Sequence, residues 1–477
     1  MAAHRSGVTS RTLVADGLTP VAAYAALRQA DPERASFLFE SVVAGDRWGR
    51  YSILGYRPRY DAILGPGGWT IRGDANVTLG SDGDPLAAAE ALFRATDENV
   101  AGENPAEKLA RASFGYLGWD LVHAIEKVPG WGAASTQPLA RFVGGATLVV
   151  FDALAQTVTI AAEREEDVDR AHADLAVPAP LRRIALPDRT RIPPDVEVDV
   201  DDARYEAGVR RAQEYIAAGD AFQVVLARKF RVARGGRDPF DVYRAMRVIT
   251  PSPYMYFLDL PPAPGEAART QIMGASPETM VRLEDGLMTV RPLAGTRPRG
   301  KTFEEDAALE RELLADPKER AEHVMLIDLG RNDVGRVAQV GTVDLVRRRE
   351  VERYSHVMHI MSEVQGRVAP STPPLEVVRA AFPAGTLSGA PKVRAMQIIR
   401  ELEAQPRGVY GGAVGYVAKT GDLDFAIAIR TAVCRGDVFE VTAGAGIVEA
   451  SVPKSEADET RAKARSVLCA IEAAPRG

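Results

Sequence analysis

Cysteine is scarce in this sequence, and there is no excess of positive charge. Only two cysteines, Cys434 and Cys469, occur among 477 residues. Two cysteines are too few for a disulfide framework or a four-cysteine zinc site, and they fit a reducing compartment. The formal net charge of −6 leaves no basic surplus to neutralise phosphates. This argues against nucleic acid as the main partner.

Long apolar runs are also missing. No stretch approaches the roughly eighteen apolar residues of a membrane-spanning helix, and residues 1–19 contain no continuous hydrophobic segment of the kind found in secretory signals. A hydrophobic fraction of 46% with 26% charged residues is ordinary for a globular protein. We therefore expect a cytoplasmic protein that does not bind membranes, with a short disordered tail at its N-terminus.

Common catalytic motifs are missing as well. The chain has no Gly-x-Ser-x-Gly elbow and no His-Glu-x-x-His pair. Gly444 and Gly446 are followed by Glu449, where a dinucleotide fingerprint needs a third glycine, so a Rossmann site is rejected. His356 and His359 have no third ligand at zinc spacing. Covalent acyl chemistry, dinucleotide binding and catalytic zinc are therefore disfavoured.

The chain divides by composition into two regions. Residues 10–186 are predicted to form an N-terminal region of short strands with a few helices. Residues 187–202 mix prolines with charged residues and form the predicted linker. Residues 203–472 alternate long helices with strands and are predicted to form the catalytic region. This pattern indicates an α/β or α+β fold, but it does not reveal the order of the strands.

A capped helix is predicted to begin at Asp316. Pro317 would occupy its first turn, and Glu319 is placed to bond back to the cap. Glu322 lies one turn further along this helix. Taken alone, Glu322 reads as an ordinary surface glutamate, but it is also a candidate carboxylate ligand for a metal.

A second helix is predicted over residues 455–468, with Ser455 as its cap. It projects Glu456, Glu459 and Lys463 from one face near its N-terminus. Taken alone, this pattern is typical of an exposed glutamate–lysine pair. The glycine strip at 443–446, directly before the helix, would let a ligand approach the backbone. That context favours a carboxylate site for Mg²⁺ beside a lysine that binds an anionic substrate.

Several segments together, in this order, resemble the anthranilate synthase component I family of chorismate-utilising enzymes. The resemblance extends over residues 37–471, so it covers nearly the whole chain. The matching segments are residues 219–225, 251–256, 274–278, 291–296, 322–333, 353–359, 383–392, 408–416, 424–430 and 443–463.

The resemblance implies a large two-part fold, with β-sheets packed centrally and helices outside, around a deep chorismate site. It implies Mg²⁺ as cofactor, held by Glu322, Glu456 and Glu459. It also implies that Glu278 is the general acid for the departing C4 hydroxyl, which requires burial to raise the pKa of Glu278. The implied catalytic residues are Glu278, His359, Gln223 and Thr296. The implied substrate-binding residues are Gly295, Thr386, Tyr410, Arg430, Gly444, Ala445, Gly446 and Lys463.

Two positions distinguish the branches of this family. Relatives that add water to chorismate carry a lysine base where this chain has Gln223, and aminodeoxychorismate synthases carry a lysine where it has Ala294. A neutral amide cannot deprotonate water, which fits ammonia as the nucleophile and anthranilate as the product. The alternatives are aminodeoxychorismate synthase component I, isochorismate or salicylate synthase, and an inactive protein that binds chorismate or tryptophan.

Two partners are implied by the same resemblance. The sequence has no Gly-x-Cys-x-Gly nucleophile, so ammonia is expected from a separate glutamine amidotransferase subunit in a hetero-oligomer. Residues 37–41 and 49–52 resemble the N-terminal tryptophan-binding element of the family, which residues 253–255 complete. We therefore expect feedback inhibition by L-tryptophan. The predicted effector residues are Glu40, Ser41, Arg50, Pro253, Tyr254 and Met255.

Overall fold

Two antiparallel β-sheets form the centre of the protein. The computed structural model describes residues 7–41, 50–75, 79–80, 83–94, 104–131, 137–354 and 357–477. Within these ranges the strands are β1 (Thr9–Val14), β2 (Ser36–Glu40), β3 (Tyr51–Tyr56), β4 (Tyr60–Gly65), β5 (Gly68–Gly73), β6 (Ser113–Leu117), β7 (Ala140–Gly144), β8 (Thr147–Asp152), β9 (Thr157–Ala162), β10 (Glu197–Val198), β11 (Gln223–Ala233), β12 (Tyr254–Leu260), β13 (Thr270–Ser276), β14 (Thr279–Glu284), β15 (Leu287–Val290), β16 (Leu293–Pro298), β17 (Asp344–Arg353), β18 (Val357–Arg367), β19 (Gly389–Ala390), β20 (Ala413–Val417), β21 (Leu423–Ile427), β22 (Thr431–Arg435) and β23 (Val438–Ile447).

Helices connect these strands and cover the sheets. In the described part of the chain they are α1 (Pro20–Ala30), α2 (Pro85–Ala88), α3 (Glu90–Phe93), α4 (Pro105–Leu109), a 3-10 turn (Trp119–Leu121), α5 (Val122–Ile125), α6 (Glu165–Leu175), α7 (Asp202–Ala217), α8 (Pro239–Ile249), α9 (Phe303–Ala315), α10 (Pro317–Gly335), α11 (Pro374–Ala381), α12 (Gly385–Ser388), α13 (Lys392–Leu402) and α14 (Pro453–Ala473). None of these helices is both long enough and apolar enough to cross a bilayer.

Each sheet combines strands from both predicted regions. The first sheet has the order β1-β9-β8-β3-β2-β12-β13-β22-β23-β11-β10, with β19 also paired to β11. The second has the order β16-β18-β15-β14-β21-β20-β6-β7-β4-β5, with β17 paired to β18. The N-terminal strands join the later ones through the pairs β2–β12 and β6–β20. The division at residues 187–202 stays a prediction about chain organisation, and β10 within it pairs with β11.

The alternation of side chains along β12 shows how the core is layered. Met255 and Phe257 pack with residues of α1, α8 and α14 on the outer face of the first sheet. Tyr256 and Leu258 point the other way, into a cluster that includes Phe114 of the second sheet. This period of two is what a strand buried on both faces requires. The predicted fold class, with central sheets and outer helices, is therefore confirmed.

Of the two helix starts predicted near the site, one is confirmed and one needs correction. Asp316 caps α10, as predicted, by accepting hydrogen bonds from the backbone of Lys318 and Glu319. The predicted start of the last helix at Ser455 is wrong, because α14 begins at Pro453 without a side-chain cap. The glycine strip at 443–446 lies within the continuous strand β23.

Candidate active site

A buried carboxylic acid lies between two strands of different sheets. Glu278 follows β13 and precedes β14, and it is 8% exposed. The hydroxyl of Thr386, on α12, donates a hydrogen bond of 3.1 Å to Glu278 Oε1. Burial raises the pKa of Glu278 from 4.5 to about 8, although Thr386, the Leu293 backbone and nearby cations act in the opposite direction. Glu278 therefore holds a proton at neutral pH, as a general acid must.

A β-bulge presents two oxygen atoms to His359, one from the backbone and one from a side chain. Ala294 of β16 pairs with Ile360 and Arg297 pairs with Met358, so residues 295 and 296 both lie opposite His359. The carbonyl oxygen of Gly295 lies 2.9 Å from His359 Nδ1, and the Thr296 hydroxyl lies 3.1 Å from it.

Glycine is required at the first position of this bulge. Gly295 has a φ of +65°, and a Cβ there would lie 2.8 Å from Leu313 Cδ1. A side chain would therefore push the bulge away from α9. The bulge places Gly295 and Thr296 on the imidazole, so the structure brings these two predicted site residues together with His359.

An arginine without a carboxylate partner lies within electrostatic reach of Glu278. Arg430 adopts the left-handed region, with a φ of 48°, which costs a non-glycine residue free energy and is frequent at functional sites. Burial lowers the pKa of Arg430, and Tyr354 and Glu278 partly offset this effect. Within the described ranges its guanidinium has no hydrogen bond or ion pair. A half-buried cation of this kind suits an anionic ligand, and the arginine fork matches a carboxylate.

Three glutamates on two helices form the candidate metal site. Burial raises the pKa of Glu322 on α10 and the pKa of Glu456 on α14. The charge of Glu459 raises the pKa of Glu456 further. Glu322 Oε1 lies 3.4 Å from the amide nitrogen of Gln223, and Glu459 forms an ion pair of 2.7 Å with Lys463.

These carboxylates have the chemistry that a hard divalent cation needs. Oxygen ligands suit Mg²⁺, and the raised pKa values of Glu322 and Glu456 indicate negative charge that a nearby cation would stabilise. In this structure, however, no three acidic, histidine or cysteine side chains of the described residues converge at metal-binding spacing. Glu459 is directed to Lys463 instead. The donor set therefore fits the ion, while the ligand geometry is not assembled.

The glycine strip packs against the side chains of the site. A Cβ on Gly446 would lie 2.7 Å from Gln223 Nε2, so the missing side chain makes room for a neighbouring residue as well as for a ligand. Lys463 Nζ donates to the carbonyl oxygen of Gly444 over 3.0 Å, and a Cβ on Gly444 would lie 2.9 Å from the Tyr410 hydroxyl oxygen. Ala445 lies between the two glycines and is buried in the core.

The predicted effector residues fall into separate groups. Glu40 and Met255 are direct partners across β2 and β12. Tyr243 donates to Glu40 over 2.6 Å, Arg247 pairs with the same carboxylate, and the buried Ser41 hydroxyl has no partner among the described residues.

The remaining effector residues point elsewhere. Arg50 pairs with Asp152 over 2.7 Å. Tyr254 donates to Asp424 over 2.9 Å and lies 3.0 Å from the Thr279 hydroxyl, next to Glu278. Pro253 precedes β12 and is buried. His356 of the rejected zinc pair, and residue 49 of the tryptophan-binding element, lie outside the described residues.

One sequence pattern near the bulge has a different structural role from the one it suggests. Residues 295–302 read Gly-x-x-x-x-Gly-Lys-Thr, the spacing of a phosphate-binding loop. The backbone N–H of Gly300 donates to Asp306, and that of Lys301 donates to Glu305. Carboxylates of α9 therefore occupy the amides that a phosphate would need, and the pattern gives no support to nucleotide binding.

Some charged residues near the site were not predicted. Lys318, in the first turn of α10, opposes the raised pKa of both Glu322 and Glu456. Asp333 and Lys392 form a buried ion pair of 2.8 Å between α10 and α13. Asp333 and Lys392 both lie in segments that carry the family resemblance. That location was the sequence signal by which they could have been predicted as site residues. Nothing in the sequence near Lys318 indicates its position.

Comparisons with known proteins show the family of the chain. The profile of the family described as "chorismate binding enzyme" matches residues 63–469. Anthranilate synthase component 1 of Acinetobacter calcoaceticus is 42% identical, covering 98% of this chain and 95% of that protein. Its counterpart in Streptomyces coelicolor is 43% identical, with coverages of 96% and 88%. The crystal structure of anthranilate synthase component I from Streptococcus pneumoniae superposes with a TM-score of 0.76 and 34% identity, over 96% of this chain and 99% of that one.

Proposed function

The chain belongs to the chorismate-binding enzymes, among them to the anthranilate synthase component I proteins, and we propose that it is a lyase that converts chorismate into anthranilate. Ammonia would be the second substrate, and pyruvate and water the other products. This reaction is the first committed step of tryptophan biosynthesis. The observation that carries the proposal is the protonated Glu278 within reach of the unpaired Arg430. The two residues offer a proton donor and a carboxylate receptor in one site.

Binding of chorismate would use the cations and amides around this acid. Chorismate carries two carboxylates, and the Arg430 fork can bind one of them through two parallel hydrogen bonds. Lys463 and the Tyr410 hydroxyl would bind the other. The Thr386 hydroxyl and the backbone around 444–446 would complete the site. Since Arg430 is already partly desolvated before substrate arrives, less further desolvation of this cation opposes binding.

The amination step depends on Glu278. Ammonia attacks C2 while the ring double bonds shift, and the C4 hydroxyl takes the proton of Glu278 and leaves as water. The ammonium group formed at C2 then releases one proton, which restores the acid form of Glu278. The neutral His359 would orient the leaving group or assist proton transfer. In the second step C2 loses its proton, the ring becomes aromatic, and the enolpyruvyl group leaves C3 and takes up a proton to become pyruvate. Gln223 cannot act as a base toward water, which supports ammonia as the nucleophile.

Mg²⁺ is the proposed cofactor, with Glu322, Glu456 and Glu459 as its ligands. When bound, the ion would supply positive charge to the ring carboxylate of chorismate. Lys463 would then exchange its contact with Glu459 for one with substrate. The raised pKa values of Glu322 and Glu456 support this assignment, because burial disfavours their charged forms and a bound cation would stabilise those forms.

The biological setting follows from the same assignment. We propose a cytoplasmic hetero-oligomer in which a separate glutamine amidotransferase subunit supplies ammonia. We also propose L-tryptophan as the feedback inhibitor, bound near Glu40, Ser41 and Met255.

The direct test is product analysis with the purified chain alone. Chorismate, Mg²⁺ and an ammonium salt at alkaline pH should yield anthranilate and pyruvate, identified by mass spectrometry. Glutamine should replace the ammonium salt only after an amidotransferase subunit is added. Aminodeoxychorismate, isochorismate or salicylate as product would assign the chain to another branch. Unconsumed chorismate under all these conditions would refute an enzymatic role.

A further inference from the structure

A buried guanidinium lies where several segments of the candidate site meet. Arg407 follows α13, and its side chain is 2% exposed. Glu403, one turn earlier, neutralises its charge through hydrogen bonds of 2.6 and 2.9 Å. The guanidinium also lies over the ring of Trp119, 4.1 Å from its centroid. The ion pair and the aromatic face hold the planar group in a single orientation.

The remaining N–H groups of Arg407 reach two other segments. Nη1 donates to the carbonyl oxygen of Leu387 over 2.8 Å, and Nη2 donates to that of Val225 over 2.7 Å. Leu387 lies on the four-residue helix α12, which is too short to satisfy its own carbonyl groups. The Leu387 carbonyl therefore depends on this side chain for a buried donor, and the Val225 carbonyl ties the same guanidinium to β11.

Each contacted segment carries a residue of the candidate site. Leu387 directly follows Thr386, the donor to Glu278. Val225 lies two residues after Gln223 on β11. Tyr410 follows Arg407 by three residues, and its ring centroid lies 5.8 Å from the guanidinium.

We infer that Arg407, oriented by Glu403, is a positioning residue for the chorismate site. It holds the Thr386 hydroxyl on Glu278 and aligns Gln223 and Tyr410 on either side. Arg407 acts through these residues without touching the substrate. The inference rests on the proposed function. Lysine is not an equivalent, since a single ammonium cannot reproduce the planar fork that spans a carboxylate and two carbonyls.

The first variant is Arg407→Lys, assayed with chorismate and an ammonium salt. We expect KM for chorismate to rise and kcat to fall, with a combined loss of about tenfold or more in kcat/KM, because small displacements of catalytic groups are costly. The alkaline limb of kcat should also move to higher pH. The Thr386 hydrogen bond lowers the pKa of Glu278, with Lys463 and Arg430 acting in the same direction, so losing that bond raises it.

Arg400 supplies the matched control. It lies on α13, over the ring of Trp131 at 3.8 Å, and donates to the carbonyl oxygen of Gly130 over 3.2 Å. Like Arg407 it covers an aromatic ring and donates to a carbonyl oxygen, but it does so away from the candidate site. Arg400→Lys should leave KM, kcat and the pH profile unchanged.

A second substitution guards against simple unfolding. Glu403→Gln keeps the guanidinium but weakens its orientation, and it should produce the same changes in smaller measure. Circular dichroism and thermal unfolding give the folded fraction of each variant at the assay temperature. Kinetic losses that merely follow this fraction, or a folded Arg407→Lys enzyme with the wild-type KM, kcat and alkaline limb, overturn the inference.

The proposed function and this inference fail in different ways. If the wild-type chain does not consume chorismate, the function is wrong, and the inference is then tested by ¹³C NMR of the Glu278 carboxyl group. A higher pKa of Glu278 in Arg407→Lys than in the wild type supports positioning of Thr386. The same pKa in both proteins contradicts it.

Discussion

His359 donates the hydrogen of its Nδ1 to the carbonyl oxygen of Gly295 over 2.9 Å. A carbonyl oxygen only accepts, so this contact determines the tautomer of the imidazole. Burial lowers the pKa of His359, so the ring is neutral, and its Nε2 carries a lone pair. Among the described residues Nε2 has no hydrogen-bond partner. A buried acceptor without a partner is costly in a folded protein unless a ligand satisfies it.

The first prediction separates the two ring nitrogens of His359. Asparagine can reproduce the donor at Nδ1, and glutamine can place an acceptor at the position of Nε2. If Nε2 contacts the reacting groups, His359→Asn should lower kcat by about 10²-fold, the scale of a positioned acid or base. His359→Gln should retain more activity than His359→Asn. Steady-state kinetics decide the order, and the reverse order would mean that the Gly295 contact alone matters.

The second prediction concerns the acid form of Glu278. Because the pKa of Glu278 is raised to about 8, kcat should fall as the pH rises through about 8. Glu278→Gln should remove this limb and lower kcat by about 10²-fold or more, while chorismate binding persists. Calorimetry measures that binding. Lost binding with an unchanged kcat at saturation would make Glu278 a substrate anchor instead.

The same group also predicts a pH dependence of stability. The carboxyl binds its proton more tightly in the folded state than in the unfolded one. Its contribution to stability is thus complete below its unfolded pKa of 4.5 and is lost as the pH rises toward its folded pKa of about 8. Glu278→Gln does not titrate there. The Tm of the variant relative to wild type should therefore increase between these two values, and a constant Tm difference would argue against the raised pKa.

The third prediction concerns the proposed Mg²⁺ ligands. Glu322→Gln and Glu459→Gln should abolish turnover at ordinary Mg²⁺ concentrations while the fold persists, because each replaces a charged oxygen ligand of a hard cation. Asp328→Asn is the control, since Asp328 is an exposed residue of the same helix as Glu322. Activity and circular dichroism are measured across a Mg²⁺ titration. Near-normal activity of both glutamine variants would place the metal elsewhere.

The fourth prediction concerns tryptophan. Glu40 and Met255 are paired across β2 and β12, and the Ser41 hydroxyl next to them lacks a described partner. Ser41→Phe or Met255→Thr should weaken inhibition by tryptophan, while activity without tryptophan survives. Tryptophan inhibits only if it binds one conformation better than the other, and these substitutions would reduce that binding. Calorimetry and inhibition assays test this. A wild-type enzyme that neither binds nor responds to millimolar tryptophan would refute it.

Local features of the fold could be read from the sequence because their causes are local. The Asp316 cap involves amides only two and three residues away. The apolar spacing of Tyr205, Val209, Ala212 and Ile216 predicts a helix, and α7 lies there. The first three of these residues are its buried ones, whereas Ile216 is half-buried. The order of the motifs along the chain was likewise enough to identify the family and to predict Glu278 as the general acid.

The tertiary structure alone decided which of these groups are desolvated and what they contact. Pairing of β2 with β12 brings Glu40 to Met255 across more than two hundred residues, and no local periodicity records that choice. The raised pKa of Glu278 arises from burial by distant segments. The contacts of Arg407 come from β11, α12 and Trp119. Residue types along a chain determine which chemistry is available, whereas desolvation and hydrogen-bond geometry depend on neighbours that only the folded packing supplies.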